Sequence, residues 1–138
     1  MQAPLFELPY LDKDKTFHLE DVLGKKIIVL TFWVSWCPDC SRDLPMKEQF
    51  YKNMKDDSVE MITINVPGRE RDPEEAHAFQ EKFLTQPVLQ DRGREVYELY
   101  EGTSVPTTIV IDRNGEIVGR YGDKDKFVDI VAKISEIL

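Results

Sequence analysis

The stretch KIIVLTFWVSWCPDC, Lys26 to Cys40, begins as an almost unbroken apolar, β-branched run and ends in two cysteines three positions apart. A run of that kind reads as a strand covered on both faces, at the centre of a sheet flanked by helices. Pro38 suits a first helical position, where its missing N–H costs nothing. From Pro38 to about Lys55 the pattern is helical, and Met46, Phe50 and Met54 at i, i+4 and i+8 are expected to face the sheet. Pro45 falls inside this helix and is expected to kink it.

Working outward, Leu5–Leu8 and Thr16–Leu19 flank the polar turn Asp12-Lys13-Asp14-Lys15 and read as an N-terminal hairpin. Leu19–Leu23, stopped by Gly24, is one helical turn. Val59–Val66 is a second central strand, ended by Pro67 and Gly68. A charged loop, Arg69–Glu75, reads as a solvated turn. Ala76, Phe79 and Phe83 then mark a helix, Pro87–Asp91 a short strand, and Val96, Leu99 and Tyr100 one face of another helix. Thr107–Asp112 and Glu116–Tyr121 flank Arg113-Asn114-Gly115, and Asn-Gly is a strong hairpin signal. The last helix is expected from about Asp123, with Phe127, Ile130, Val131, Ile134 and Leu138 at helical spacing. The order predicts an α/β fold with a central mixed β-sheet, in a single domain over residues 1–138.

Composition excludes several classes of function. Lys and Arg number 18 and Asp and Glu 26, a net charge of −8. That balance argues against nucleic acid and against contact of this segment with an anionic membrane surface. No apolar run reaches the ~20 residues of a membrane span, and the first residues do not read as a signal peptide. The chain as given is therefore expected to be cytoplasmic. The alternative is an exported or membrane-anchored protein whose leading segment was removed.

Cys37 and Cys40 are the only cysteines. Two ligands cannot close a structural zinc site, and His18 and His77, distant in sequence, read as surface residues. A structural disulfide closing so short a loop would add little stability. A redox pair remains. At a helix start, unpaired N–H groups and the positive end of the dipole favour a Cys37 thiolate below the ordinary pKa of about 8.5. Cys40, one turn further in, is then placed to attack Cys37 within a mixed disulfide. Asp39, between the two sulfurs, opposes the dipole, which predicts a moderately acidic Cys37 and a reducing pair.

Trp36-Cys37-Pro38-Asp39-Cys40 after a buried strand, with Val105-Pro106-Thr107 about 65 residues later, resembles the thioredoxin-fold superfamily. Ala3-Pro4-x-Phe6-x-Leu8, Phe32-Trp33-x-x-Trp36-Cys37-x-x-Cys40-x-x-Asp43-Leu44-Pro45 and Val105-Pro106-Thr107-Thr108 resemble its TlpA/ResA-like thiol-disulfide oxidoreductases over nearly the whole chain. The resemblance implies a helix–strand insertion between about 69 and 91 and a dithiol/disulfide cycle on Cys37 and Cys40. It implies a cis Pro106, with the Val105 backbone presented to the substrate chain. A Glu at the position of Asp43 in these relatives suggests Asp43 as proton acceptor for Cys40. The buried Asp of ordinary thioredoxins is Thr31 here, which cannot act as a base. Trp36 is expected to shield the sulfurs and offer a flat apolar contact, and Trp33 to be core. Implied partners are disulfide-bearing client proteins and an upstream electron donor, with the chain a monomer. Relatives serve in cytochrome c maturation, sporulation or redox homeostasis. No cofactor or metal is required, since the sulfurs carry the electrons.

Two alternatives fit less well. A peroxiredoxin-like peroxidase needs a Thr three residues and a Pro seven residues before its reactive Cys, where this chain has Val34 and Leu30. A copper carrier on the same fold uses a Cys-x-x-x-Cys pair with a His.

Overall fold

A computed structural model describes residues 1–54 and 57–138. Strands β1 (Glu7–Pro9) and β2 (Thr16–His18) pair antiparallel, with Leu8 opposite Phe17. A 3-10 turn at Leu19–Asp21 follows. The chain continues through β3 (Ile27–Trp33), α1 (Pro38–Asn53), β4 (Val59–Asn65), α2 (Pro73–Phe83), β5 (Val88–Gln90), α3 (Glu95–Leu99), β6 (Thr107–Ile111), β7 (Ile117–Tyr121) and α4 (Phe127–Ile137). The expected end of the first helix at Lys55 lies outside the described residues.

The sheet runs β5-β4-β3-β6-β7. At its centre, β3 pairs parallel with β4 and antiparallel with β6. Every residue of β3 is buried, as its uniformly apolar sequence requires of a strand covered on both faces. Its side chains alternate between two cores. Ile28, Leu30 and Phe32 pack with Phe6, Leu8, Leu19 and Tyr100. Ile27 and Val29 pack with Met61, Val110, Ile130 and Ile134 beneath α4. The N-terminal hairpin covers the β5 edge, with the Leu11 N–H bonded to the Val88 carbonyl at 2.9 Å; a paired edge is closed to intermolecular strand addition. The inserted helix and strand expected between about 69 and 91 are α2 and β5.

Three expectations are corrected. First, the buried face of α1 is Cys40, Leu44, Lys47 and Glu48, whereas Met46 is 45% exposed. The sheet-facing stripe carries two charged residues whose heads are paired inside the protein, and of the expected apolar stripe only Met46 turns outward, while Phe50 and Met54 pack half-buried against the second core. Second, in α3 the buried residues are Val96 and Tyr97, and Leu99 is exposed. The Asp91 carboxylate sets this rotation by accepting the Val96 and Tyr97 N–H groups, each at 2.9 Å. Third, α4 begins at Phe127 rather than Asp123. The Asp125 carboxylate accepts the Gly122 N–H at 2.7 Å and closes a turn there, the local competition that favours Asp in turns over helix interiors.

Candidate active site

β3 delivers the chain to the sheet's end at Trp33, and Pro38 opens α1 four residues after Val34. Cys37 is the N-cap of α1, with extended backbone angles. Its Sγ accepts the Cys40 N–H at 3.2 Å, one of the donors a helix start leaves unpaired. The Cys37 S–H donates to the Val105 carbonyl at 3.3 Å. The Val105–Pro106 bond is cis. Both thiols are free. Cys40 is fully buried, and that burial pushes its thiol far up; the adjoining Cys37 sulfur and the Asp43 charge add to the rise, while the backbone at Val34 opposes it. A cysteine held neutral beside a helix-capping cysteine is a division of roles between two sulfurs one helical turn apart.

The loop before Cys37 is braced by residues that read as a solvated turn in the sequence. Glu70 accepts the Ser35 N–H at 2.8 Å, the Ser35 hydroxyl at 2.6 Å and Asn65 Nδ2 at 2.7 Å. Trp36 Nε1 donates to the Arg69 carbonyl at 2.8 Å. Arg69 Nη1 donates to the Tyr97 hydroxyl at 2.7 Å, which donates to the Ser104 carbonyl at 3.0 Å. This chain of bonds joins the Cys37 loop to the segment that carries Val105 and Pro106. The Arg71 guanidinium stands 4.2 Å from the centre of the Trp36 ring, so one face of the indole carries a cation. Charges adjoining an active site in the fold, though distant along the chain, find partners that local sequence does not show. Glu70→Gln is expected to destabilise the protein by about 1.5–3 kcal/mol, the range for hydrogen bonds to a charged group. Urea unfolding at pH 7 measures it; an unchanged midpoint would remove Glu70 from the brace.

Asp39 forms an ion pair with Arg42 across one helical turn. The repulsion expected of Asp39 on the neighbouring sulfur is thereby weakened. Asp43 is largely buried, and its Oδ2 lies 2.6 Å from the Lys47 ammonium. Lys47 is completely buried and donates to the Thr108 hydroxyl at 2.6 Å. Burial pushes the Lys47 ammonium down, and Asp43 and Cys40 resist that fall. Sequence reading passed over Lys47, although its spacing of four from Asp43 is that of a helical ion pair. A groove of about 590 Å³ runs between Asp39, Asp43, Met46, Pro106, Phe127 and Val128, lined on the α1 side by residues adjoining the cysteines in sequence. Trp33 is core, its ring tilted against that of Phe79 with the centroids 4.9 Å apart. His18 pairs with Glu7 and His77 is exposed on α2. Among the described residues no three His, Cys, Asp or Glu side chains gather as a metal site, and no helix is long and apolar enough to cross a membrane.

Known proteins resemble this chain in sequence and fold. The thiol-disulfide oxidoreductase ResA of Oceanobacillus iheyensis is 34% identical over 118 residues, covering 83% of this chain and 60% of the relative. The sporulation thiol-disulfide oxidoreductase A of Bacillus subtilis is 34% identical over 108 residues, covering 75% and 65%. The chain thus spans less than two thirds of the length of these curated relatives. Among solved structures, the exposed lipoprotein thioredoxin Etrx1 of Streptococcus pneumoniae superposes with a TM-score of 0.81 at 29% identity, over 96% of this chain and 99% of that one. StoA of Bacillus subtilis superposes with a TM-score of 0.75 at 26% identity, over 86% and 87%. The fold is therefore thioredoxin-like, as the sequence resemblance implied. Residues 1–120 match the AhpC/TSA family, and the chain belongs to that family, with a Cys-x-x-Cys pair at the start of its first long helix.

Proposed function

We propose that this protein is a thiol-disulfide oxidoreductase that reduces disulfides in client proteins. The observation that carries this reading is the Cys37 sulfur, capping α1 on the Cys40 N–H and touching the Val105 carbonyl, with Asp39 and Pro106, the neighbours of these residues, lining a groove. Cys37 attacks one sulfur of a client disulfide, and the other leaves with the electron pair. Cys40 then attacks Cys37, the Cys37–Cys40 bond forms, and the reduced client departs. The client segment lies extended along Val105, read through main chain rather than side chains. An upstream dithiol donor restores the pair, and the chain works as a monomer without cofactor. The raised Cys40 thiol favours the reductant direction: no ionised Cys40 stabilises the dithiol, so the pair gives up electrons readily.

The test is catalysis of insulin disulfide reduction by dithiothreitol, with the potential measured against glutathione. Turnover at a potential nearer the about −270 mV of thioredoxin than about −120 mV is expected. A potential at the oxidising end would reverse the direction. Rapid hydrogen peroxide consumption without disulfide turnover would replace the reading with a peroxidase, despite Val34 and Leu30 at the positions where peroxidases of the fold carry Thr and Pro.

A further inference from the structure

A wholly buried ammonium needs an explanation. Lys47 sits on the sheet-facing side of α1, two helical turns after Cys40, with no exposed surface. Its partners are the Asp43 carboxylate at 2.6 Å and the Thr108 hydroxyl at 2.6 Å. Taking the two charges of an ion pair out of water costs several kcal/mol, and an apolar pair of the same size often does as well or better for stability. Stability is thus a poor reason for this lysine. Its position suggests a better one. Thr108 lies directly opposite Thr31 in the β3–β6 ladder. Thr31 stands where ordinary thioredoxins are expected to carry their buried acid, and it has no ionisable group. The sheet side therefore meets the lysine with a hydroxyl, and the carboxylate it meets is Asp43 of its own helix. Asp43, beside it, has one side toward Lys47 and the other on the groove next to Pro106.

We propose that Lys47 is a positioning residue for the resolving step: its ammonium holds the Asp43 carboxylate ionised and oriented between Cys40 and the groove, where it accepts the Cys40 proton. The proposal rests on the oxidoreductase reading above. In the step, the Cys40 S–H bond breaks and its proton passes to Asp43. The Cys40 sulfur attacks Cys37, the Cys37–Cys40 bond forms, and the bond from Cys37 to the client sulfur breaks. The client thiolate leaves with the electron pair, and Asp43 passes its proton to water in the groove. The charged groups facing Asp43 are Lys47 from the core side, Asp39 and Arg42 from the same helix, and Asp123, Asp125 and Lys126 from the segment before α4. Asp39 and Arg42 pair with each other, which leaves Lys47 as the cation directly on Asp43. Lys47 in turn faces Asp43 and Cys40 on its own helix and the uncharged Thr108 on β6.

The test is stopped-flow reaction of the reduced protein with the chromogenic disulfide dithiobis-nitrobenzoate. The first aromatic thiolate reports attack by Cys37 and is second-order. The second reports resolution by Cys40 and is first-order, independent of probe concentration. Lys47→Met is expected to slow the second phase about tenfold at pH 7 and to move its pH profile alkaline by about one unit, a tenfold change corresponding to one unit of proton affinity. The first phase should stay within about twofold. Asp43→Asn should do the same, and the double variant should be no slower than either single, because residues acting as one unit are not additive. An unchanged second phase in a folded Lys47→Met overturns the proposal, as does equal slowing of both phases. Should the Met variant fail to fold, Asp43→Asn decides alone, and an unshifted pH profile there overturns it. If the wild-type protein releases no second thiolate, the oxidoreductase reading fails as well; a normal wild type with unaffected variants removes only the role of Lys47.

Discussion

Replacing Cys40 by Ser should leave the protein covalently attached to its clients, while replacing Cys37 by Ser should leave it attached to none. The attacking sulfur caps α1 and bonds to the Val105 carbonyl, and the other lies fully buried with its thiol held neutral by burial. Without Cys40 the mixed disulfide on Cys37 has no internal partner to release it, since resolution needs a thiolate that reaches the Cys37 sulfur. Without Cys37 the remaining thiol is one that burial holds protonated, and only a thiolate attacks a disulfide. Insulin reduction is expected to fall by on the order of 10³-fold or more in the Cys37 variant, the scale seen when a nucleophile is removed. Mass spectrometry of adducts from a reducing-agent-free lysate reads the Cys40→Ser result, and the adducts identify the clients and the compartment in which they meet this protein. Equal trapping by both variants would abolish the division of labour between the sulfurs.

Glu48→Ala should be the most damaging change away from the sulfurs. This carboxylate is buried on α1 and ties the helix to the approach to β5. It accepts the Thr85 N–H at 2.9 Å, the Thr85 hydroxyl, the Gln86 N–H at 3.3 Å and Gln86 Nε2 at 3.1 Å. Burial by itself pushes the carboxyl up; the bonds from Thr85 and Gln86 more than reverse this and hold it below its ordinary range. Alanine leaves those donors unpaired in the interior, an expected loss of about 3 kcal/mol and a fall in Tm of about 10 °C for a domain of this size. The sign with pH follows from the depressed value. The folded carboxylate binds its proton less readily than the unfolded one, so its contribution is complete above the unfolded pKa of about 4.3 and disappears as pH drops through the folded value. Wild type and Glu48→Gln should therefore differ most in urea midpoint near pH 7 and converge near pH 3. A gap independent of pH would mean that the shape of the side chain, not its charge, holds α1 in place.

Lys47, Glu48 and Glu70 share one property. Each is a charged residue that takes at least one partner from a distant part of the chain, and sequence reading assigns each to solvent or passes over it. The outward turn of Met46 on α1 has the same origin: Phe50 and Met54 keep to the second core, and Lys47 and Glu48 are buried beside them because Thr108, Thr85 and Gln86 arrive to pair them. Leu99 gives way to Tyr97 for a related reason: the Asp91 cap turns α3, and the Tyr97 hydroxyl finds Arg69 and Ser104.

What the residues determined unaided is the frame: a central strand from Ile27, a helix opened by Pro38, and two sulfurs one turn apart at its start. Those features depend on neighbours within a few positions, where β-branching, a fixed φ and helical pitch act directly. Tertiary structure alone decided the contact between Cys37 and Val105, 68 residues apart, and which charges enter the core. Burying a charge costs heavily unless it is paired and hydrogen-bonded, and Thr108, Thr85 and Gln86 reach Lys47 and Glu48 only once the chain has folded.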